Sequence, residues 1–169
     1  MTVKIYDDRN QSLQRHLKNI RGVDYMSYLE TTQKAEFSVS YLTTTPYKRF
    51  DAYRYRIEVT VSAEKCIADN GVVIEFSELK NIIQSTLPDH RYIYCSADKE
   101  GQMIADTLRM IGISSVGYNF VISAENLVKH FAATIQQLLH TKYPGCIVED
   151  VKLLENANSY TRWHRSSSV

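Results

Sequence analysis

Long apolar runs are missing from this sequence. None approaches the ~20 residues that a helix needs to cross a bilayer, and residues 1–10 are polar, with no signal-peptide apolar segment. An excess of one charge is missing as well. Lys and Arg number 20 against 19 Asp and Glu, a formal net charge of +1, which supplies no electrostatic pull toward nucleic acid or an anionic membrane. Cysteine is scarce and odd in number. Cys66, Cys95 and Cys146 are widely spaced and suggest no disulfide framework, so reduced thiols in a cytoplasmic protein are expected. Tryptophan occurs once and phenylalanine five times, yet tyrosine occurs twelve times. Each tyrosine brings an aromatic body and a hydroxyl that needs a partner when buried. No internal repeat or low-complexity segment is present.

What is there is organised around residues 50–62. Tyr53, Tyr55, Ile57, Val59 and Val61 fall on one side, and Arg54, Arg56, Glu58, Thr60 and Ser62 on the other. That period of two predicts a long half-buried strand. Its inward face begins with two phenols and turns aliphatic, which gives it a wet end and a dry end. Before it, residues 35–45 alternate Phe37, Val39 and Tyr41 with serines and predict a partner strand, ended by Pro46. Residues 1–33 are mixed and polar and predict a helical N-terminal extension. The 169 residues are enough for one domain with a substantial core.

Beyond the Asp69-Asn70-Gly71 turn signal, residues 72–76 predict a short strand, and Ser77 a cap for a helix carrying Leu79, Ile82 and Ile83. Leu87-Pro88 stops that helix. Residues 98–111 predict another helix, with Met103, Ile104, Leu108 and Ile111 inward. Residues 118–122 read as extended. Ser123 then caps the clearest helix, residues 124–143, whose stripe is Leu127, Phe131, Ile135, Leu138 and Leu139. Pro144-Gly145 ends it. Residues 147–155 and 159–163 predict two further strands around an Asn156-Ala157-Asn158 turn, and residues 166–169 a frayed tail. The expected architecture is α+β: a four-stranded antiparallel sheet of two hairpins, with helices on one face. The domain is expected over residues 34–165.

The stretch Gly71-Val72-Val73-Ile74-Glu75-Phe76-Ser77-Glu78-Leu79-Lys80 resembles a signature of the 6-pyruvoyl-tetrahydropterin and 6-carboxy-tetrahydropterin synthases. Pro88-Asp89-His90, Ser123-Ala124-Glu125-Asn126-Leu127 and the strand from Val151 to Glu155 resemble three more pieces of that family, in order. The resemblance spans roughly residues 34–163. It implies the tunnelling fold, a two-layer α+β unit whose sheets join in an oligomeric barrel, commonly a hexamer with active sites between subunits.

The resemblance also implies a zinc site, and here the chain departs from it. The family's three zinc-binding histidines correspond to Tyr41, Tyr53 and Tyr55, and its catalytic cysteine to Arg49. A neutral imidazole offers a lone pair at pH 7, whereas a phenol of pKa ~10 must first be deprotonated. No bound zinc and no other cofactor are therefore expected. His16, His90, His130, His140 and His164 show no metal-ligand spacing. Asp89 and His90 match the family's catalytic Asp and His, suited to moving a proton near neutral pH. Glu155 matches the glutamate that anchors a pterin ring, a planar bidentate acceptor. Glu125 is a weaker candidate for ligand contact, because an acid in a helix's first turn suits the dipole anyway. The three tyrosines are expected to converge. They then either donate hydrogen bonds and shuttle protons, with Arg49 or Arg54 as a nearby cation, or simply fill the space that zinc has left. Two functions follow from these residues. One is a metal-independent lyase or cyclase acting on a pterin-like or other small cyclic substrate. The other is an inactive pterin- or purine-binding or structural relative. In either case the expected partners are a small molecule and further copies of the chain, not nucleic acid or membrane.

Overall fold

The computed structural model describes residues 29–43, 47–63 and 72–166. Two 15-residue strands, β1 (Leu29–Thr43) and β2 (Arg49–Ala63), form its spine as an antiparallel pair in continuous register. The inward side of β2 holds Tyr55, Ile57, Val59 and Val61, all buried, as its period of two requires. β1 begins at Leu29, ahead of the expected boundary at residue 34. The rest of the expected N-terminal extension, the Asp69-Asn70-Gly71 turn and the end of the tail lie outside the described residues.

Helix α1 (Phe76–Thr86) follows. Residues 72–75 form no strand. Val73 and Ile74 are buried nonetheless, so the short apolar run reports burial and not extension. The cap position of α1 is Glu75, without a side-chain cap, and not Ser77. The longest helix among the described residues, α3 (Ala124–Lys142), is capped as expected, with the Asn126 N–H donating to Ser123 Oγ. Leu127, Phe131, Ile135 and Leu139 are buried, whereas Leu138 turns partly outward. Burying each of these large side chains contributes ~1.5–3 kcal/mol. Gly145, at φ 106°, reverses the chain after α3 into β5 (Cys146–Leu154). Edge strand β6 (Tyr160–His164) pairs antiparallel to β5.

Among the described residues the sheet has six strands, not the four expected. Strands β3 (Arg91–Cys95) and β4 (Ser115–Tyr118) add to the β1 edge, parallel to β1 and to each other, in the order β4-β3-β1-β2-β5-β6. Both are short and carry few of the alternating polar residues that mark a half-solvated strand. The helix between them, α2 (Lys99–Met110), makes a βαβ unit. α1 and α3 lie over the core face of the sheet, but α2 does not join them. Ile93 of β3 belongs to the main core, so Tyr92 and Tyr94 face the other way, and that is the side α2 covers. The inward positions of α2 are Gly101 and Ala105, while Met103 and Ile111 are exposed. Small residues let helix and strand approach closely: a Cβ on Gly101 would sit 3.2 Å from Tyr94 Cβ.

Candidate functional site

At the end of the sheet where the inward face turns aromatic, three phenols lie side by side. Cross-strand register sets Val39 opposite Tyr53, Phe37 opposite Tyr55 and Tyr41 opposite Asp51, so all share the core face. Tyr41 and Tyr53 stack at 5.0 Å between ring centroids, and Tyr53 and Tyr55 at 5.7 Å. The hydroxyls of Tyr41 and Tyr55 are 3.1 Å apart and hydrogen-bonded. Both residues are buried, whereas Tyr53 is half-buried and donates a long 3.5 Å bond to Asp51. Burial pushes the Tyr41 phenol well above its ordinary range. Burial also raises Tyr55, to about 12. The Tyr41 hydrogen bond opposes that rise, while the charges of Glu155 and Glu125 add to it. At neutral pH these two are hydroxyls, able to donate a hydrogen bond but not to take a proton.

Glu155 lies just beyond β5, opposite Tyr55, and Glu125 lies in the first turn of α3. Both are exposed, and among the described residues neither carboxylate has a hydrogen-bond or ion-pair partner. Glu155 lines a groove of about 390 Å³ with Tyr55, Arg54, Arg56 and Glu36. A neighbouring groove of about 330 Å³ is lined by Tyr53, Arg54, Ser38 and His90. Arg54 borders both grooves. It is tied at 2.6 Å to Glu36, which also takes Arg56, and the two guanidiniums hold the Glu36 carboxyl below its usual range. Glu36 escaped the sequence reading because its position, on the solvent side of β1, looks like ordinary surface charge.

Asp89 and His90 lie where β3 begins beside β1. Asp89 Oδ1 accepts the Ser38 N–H at 2.7 Å, and the His90 N–H donates to the Ser38 carbonyl at 2.7 Å. The Ser38 peptide is thus gripped on both sides. These bonds hold His90 at φ 55°, a left-handed conformation that costs an L-residue ~1–2 kcal/mol. The imidazole itself is 83% exposed, with Nε2 3.7 Å from Asp89 Oδ2. Arg49 is linked to Tyr53 through Asp51, whose Oδ2 also accepts the Tyr53 hydroxyl at 3.5 Å. Its guanidinium stands 3.7 Å from Asp51 and is largely exposed. Arg54 points to the opposite face of the sheet, and burial, which raises Tyr41 and Tyr55, is the largest influence on both. Together, the structure gathers Tyr41, Tyr53 and Tyr55 on the core face and sets Glu155 and Glu125 near Tyr55, while His90 borders the groove walled by Ser38, Ser40, Ala52 and Arg54 on the other face of the same strands.

This donor set does not suit zinc. A phenol raised above its ordinary value by burial gives up its proton even less readily than a free one. Among the described residues no group of three or more His, Cys, Asp and Glu is placed to hold a metal ion.

A mixed sheet with two helices on its core face, and a polar cluster where its two longest strands end, defines the chain as a tunnelling-fold α+β protein. Solved structures share the architecture. An uncharacterized protein from Wolinella succinogenes aligns over 83% of this chain and 99% of its own, with TM-score 0.67 and 14% identity. The 6-pyruvoyl tetrahydropterin synthase of Plasmodium falciparum aligns over 82% and 98%, with TM-score 0.58 and 12% identity. That of Caenorhabditis elegans aligns over 85% and 100%, with TM-score 0.56 and 15% identity. In sequence, a 6-carboxy-5,6,7,8-tetrahydropterin synthase from Haemophilus influenzae is 24% identical over 114 residues, covering 66% of this chain and 77% of that protein. The profile of the family described as 6-pyruvoyl tetrahydropterin synthase matches residues 30–166, and the chain belongs to that family.

Proposed function

We propose that this chain is a divergent, metal-independent member of its family. It moves protons as a lyase or cyclase on a pterin-like or other small cyclic substrate. The supporting observation is the Tyr41–Tyr53–Tyr55 stack beside the Glu155 carboxylate, which has no partner among the described residues. In this reading Glu155 accepts two hydrogen bonds from adjacent N–H groups of the ring, with Glu125 assisting. His90, oriented by Asp89, takes a proton from the substrate side chain and returns it. Charge developing on a side-chain oxygen is met by neutral phenol donors, Tyr53 first because it alone is half-exposed. Arg49 flanks the substrate as a positive charge. The chain works as a homo-oligomer, a hexamer by its family resemblance, with small molecules as its other partners.

A second reading is an inactive ligand-binding relative. It is favoured by the exposure of the His90 imidazole and by the commitment of Asp89 to Ser38. One experiment separates the two. The purified protein is incubated in heavy water with a reduced pterin carrying a hydroxylated side chain, and deuterium uptake is read by mass spectrometry, with and without a chelator. The enzyme reading expects uptake that ignores the chelator and falls by about 100-fold or more in His90→Gln. Binding without uptake establishes the second reading, and uptake abolished by the chelator overturns metal independence.

A further inference from the structure

The proton movement assigned to His90 leaves a second proton without a destination. Removing the proton from a hydroxyl-bearing carbon beside an unsaturated ring atom leaves an enol, once the ring atom has taken a proton from water. When His90 returns its proton to the neighbouring carbon, the enol becomes a ketone, and the hydroxyl must release its own proton. Tyr41 and Tyr55 do not accept it, because burial holds both phenols protonated. Glu155 and Glu125 are assigned to the ring.

A third carboxylate shares the face of the tyrosines. Asp51 stands opposite Tyr41 across the β1–β2 pair and is half-buried, with its side chain 26% exposed. One oxygen, Oδ2, gathers three groups: the Tyr53 hydroxyl at 3.5 Å, the Thr43 hydroxyl at 3.2 Å and Arg49 Nε at 3.7 Å. Thr43 and Arg49 are themselves partners in the cross-strand register, so the sheet fixes this oxygen beside Tyr53. Oδ1 is uncommitted among the described residues. A phenol donates one hydrogen bond and can accept others. With its O–H aimed at Asp51, the Tyr53 oxygen offers lone pairs to a substrate hydroxyl. The 3.5 Å separation exceeds the ~2.5–3.0 Å of a strong O–H···O bond. Such bonds are often long in the empty site and tighten when substrate is bound.

We propose that Asp51 is the acceptor of the hydroxyl proton, reached through Tyr53, an assignment that rests on the lyase or cyclase reading. The substrate O–H bond breaks as its proton bonds to the Tyr53 oxygen, and the proton of Tyr53 passes to Asp51 Oδ2. The electron pair of the broken bond becomes the carbonyl π bond, and the enol π pair takes the proton that His90 returns to carbon. Asp51 then gives its proton to water, which replaces the one the ring atom took. Nothing is oxidised or reduced, and the side chain is isomerised. Tyr53 donates while the substrate oxygen carries charge and accepts while that oxygen carries a proton.

The test uses 7,8-dihydrobiopterin, a reduced pterin with a dihydroxypropyl side chain, and follows two signals from the full chain in heavy water. Deuterium uptake at carbon, read by mass spectrometry, reports removal and return of the carbon-bound proton. Ketone, trapped as its oxime with hydroxylamine, also requires the hydroxyl proton to leave. Asp51→Asn is expected to lower ketone formation by ~100-fold and uptake by less than ~five-fold, and Asp51→Glu to recover part of the ketone. Tyr53→Phe should lose ketone to the same degree, and the double variant no more, as groups acting as a unit do. Ketone formation that survives Asp51→Asn overturns the assignment alone, as does wild-type protein that takes up deuterium but forms no ketone. Parallel loss of ketone and uptake in Asp51→Asn, without recovery in Asp51→Glu, makes the carboxylate structural and also overturns it. Absence of uptake by wild-type protein overturns the enzyme reading and the assignment with it.

Discussion

The hydroxyls of Tyr41 and Tyr55 share a hydrogen bond of 3.1 Å inside the core, on adjacent strands. Each is the other's answer to burial. Replacing either tyrosine alone by phenylalanine leaves a buried O–H without this partner and should cost ~1–3 kcal/mol. Replacing both should cost clearly less than the sum of the two single changes, a coupling that urea unfolding of the four proteins measures.

The same pair makes alkaline pH destructive. Both folded-state pKa values lie above the unfolded value near 10, so the fold favours the neutral phenols. Their contribution is complete below pH 10 and is lost as pH rises through the folded values, about 12 for Tyr55. Urea midpoints should fall steeply between pH 10 and 12, and the fall should be shallower in the doubly substituted Tyr41→Phe, Tyr55→Phe protein.

His130 behaves in the opposite sense. It packs against Tyr118 at 5.0 Å and Phe120 at 5.5 Å, and burial lowers its pKa below 6.5. The unfolded chain therefore takes up the proton first as pH falls, and stability declines from about pH 6.5 downward. Imidazole NMR should show His130 titrating below 6.5, and His130→Phe should flatten the acid side of the stability profile.

His90 pays a conformational cost for its position. His90→Gly relieves the left-handed strain at φ 55° and removes only a largely exposed side chain. It should leave the melting temperature unchanged or raised, by up to ~1 kcal/mol of stability, while eliminating proton exchange on a bound pterin. A large loss of stability would instead make the imidazole a structural element.

Asp89 acts through the Ser38 N–H, which it accepts at 2.7 Å. Asp89→Ala should cost ~1–3 kcal/mol and speed hydrogen exchange at the Ser38 amide. Asp89→Asn, which keeps an acceptor oxygen, should lose much less.

The sequence by itself determined the elements whose pattern is local. The alternation through Tyr55, Ile57, Val59 and Val61 makes β2 a one-sided strand wherever it sits. The stripe Leu127–Phe131–Ile135 and the Ser123 cap make α3 a helix before anything packs on it. The family motifs likewise survive as short runs that can be read in isolation. Only the tertiary structure decided what depends on residues far apart in the chain. β3 and β4 are short and owe their existence to pairing with β1 and with each other. α2 crossed to the opposite face because Tyr92 and Tyr94, not Ile93, meet its Gly101 and Ala105 side. Pairing Tyr41 with Tyr55, and binding Asp89 to Ser38 across 51 positions of sequence, needed the finished sheet. Periodicity says which side of an element is buried, but its partner is set by the long-range packing that buries the most apolar surface while satisfying the backbone.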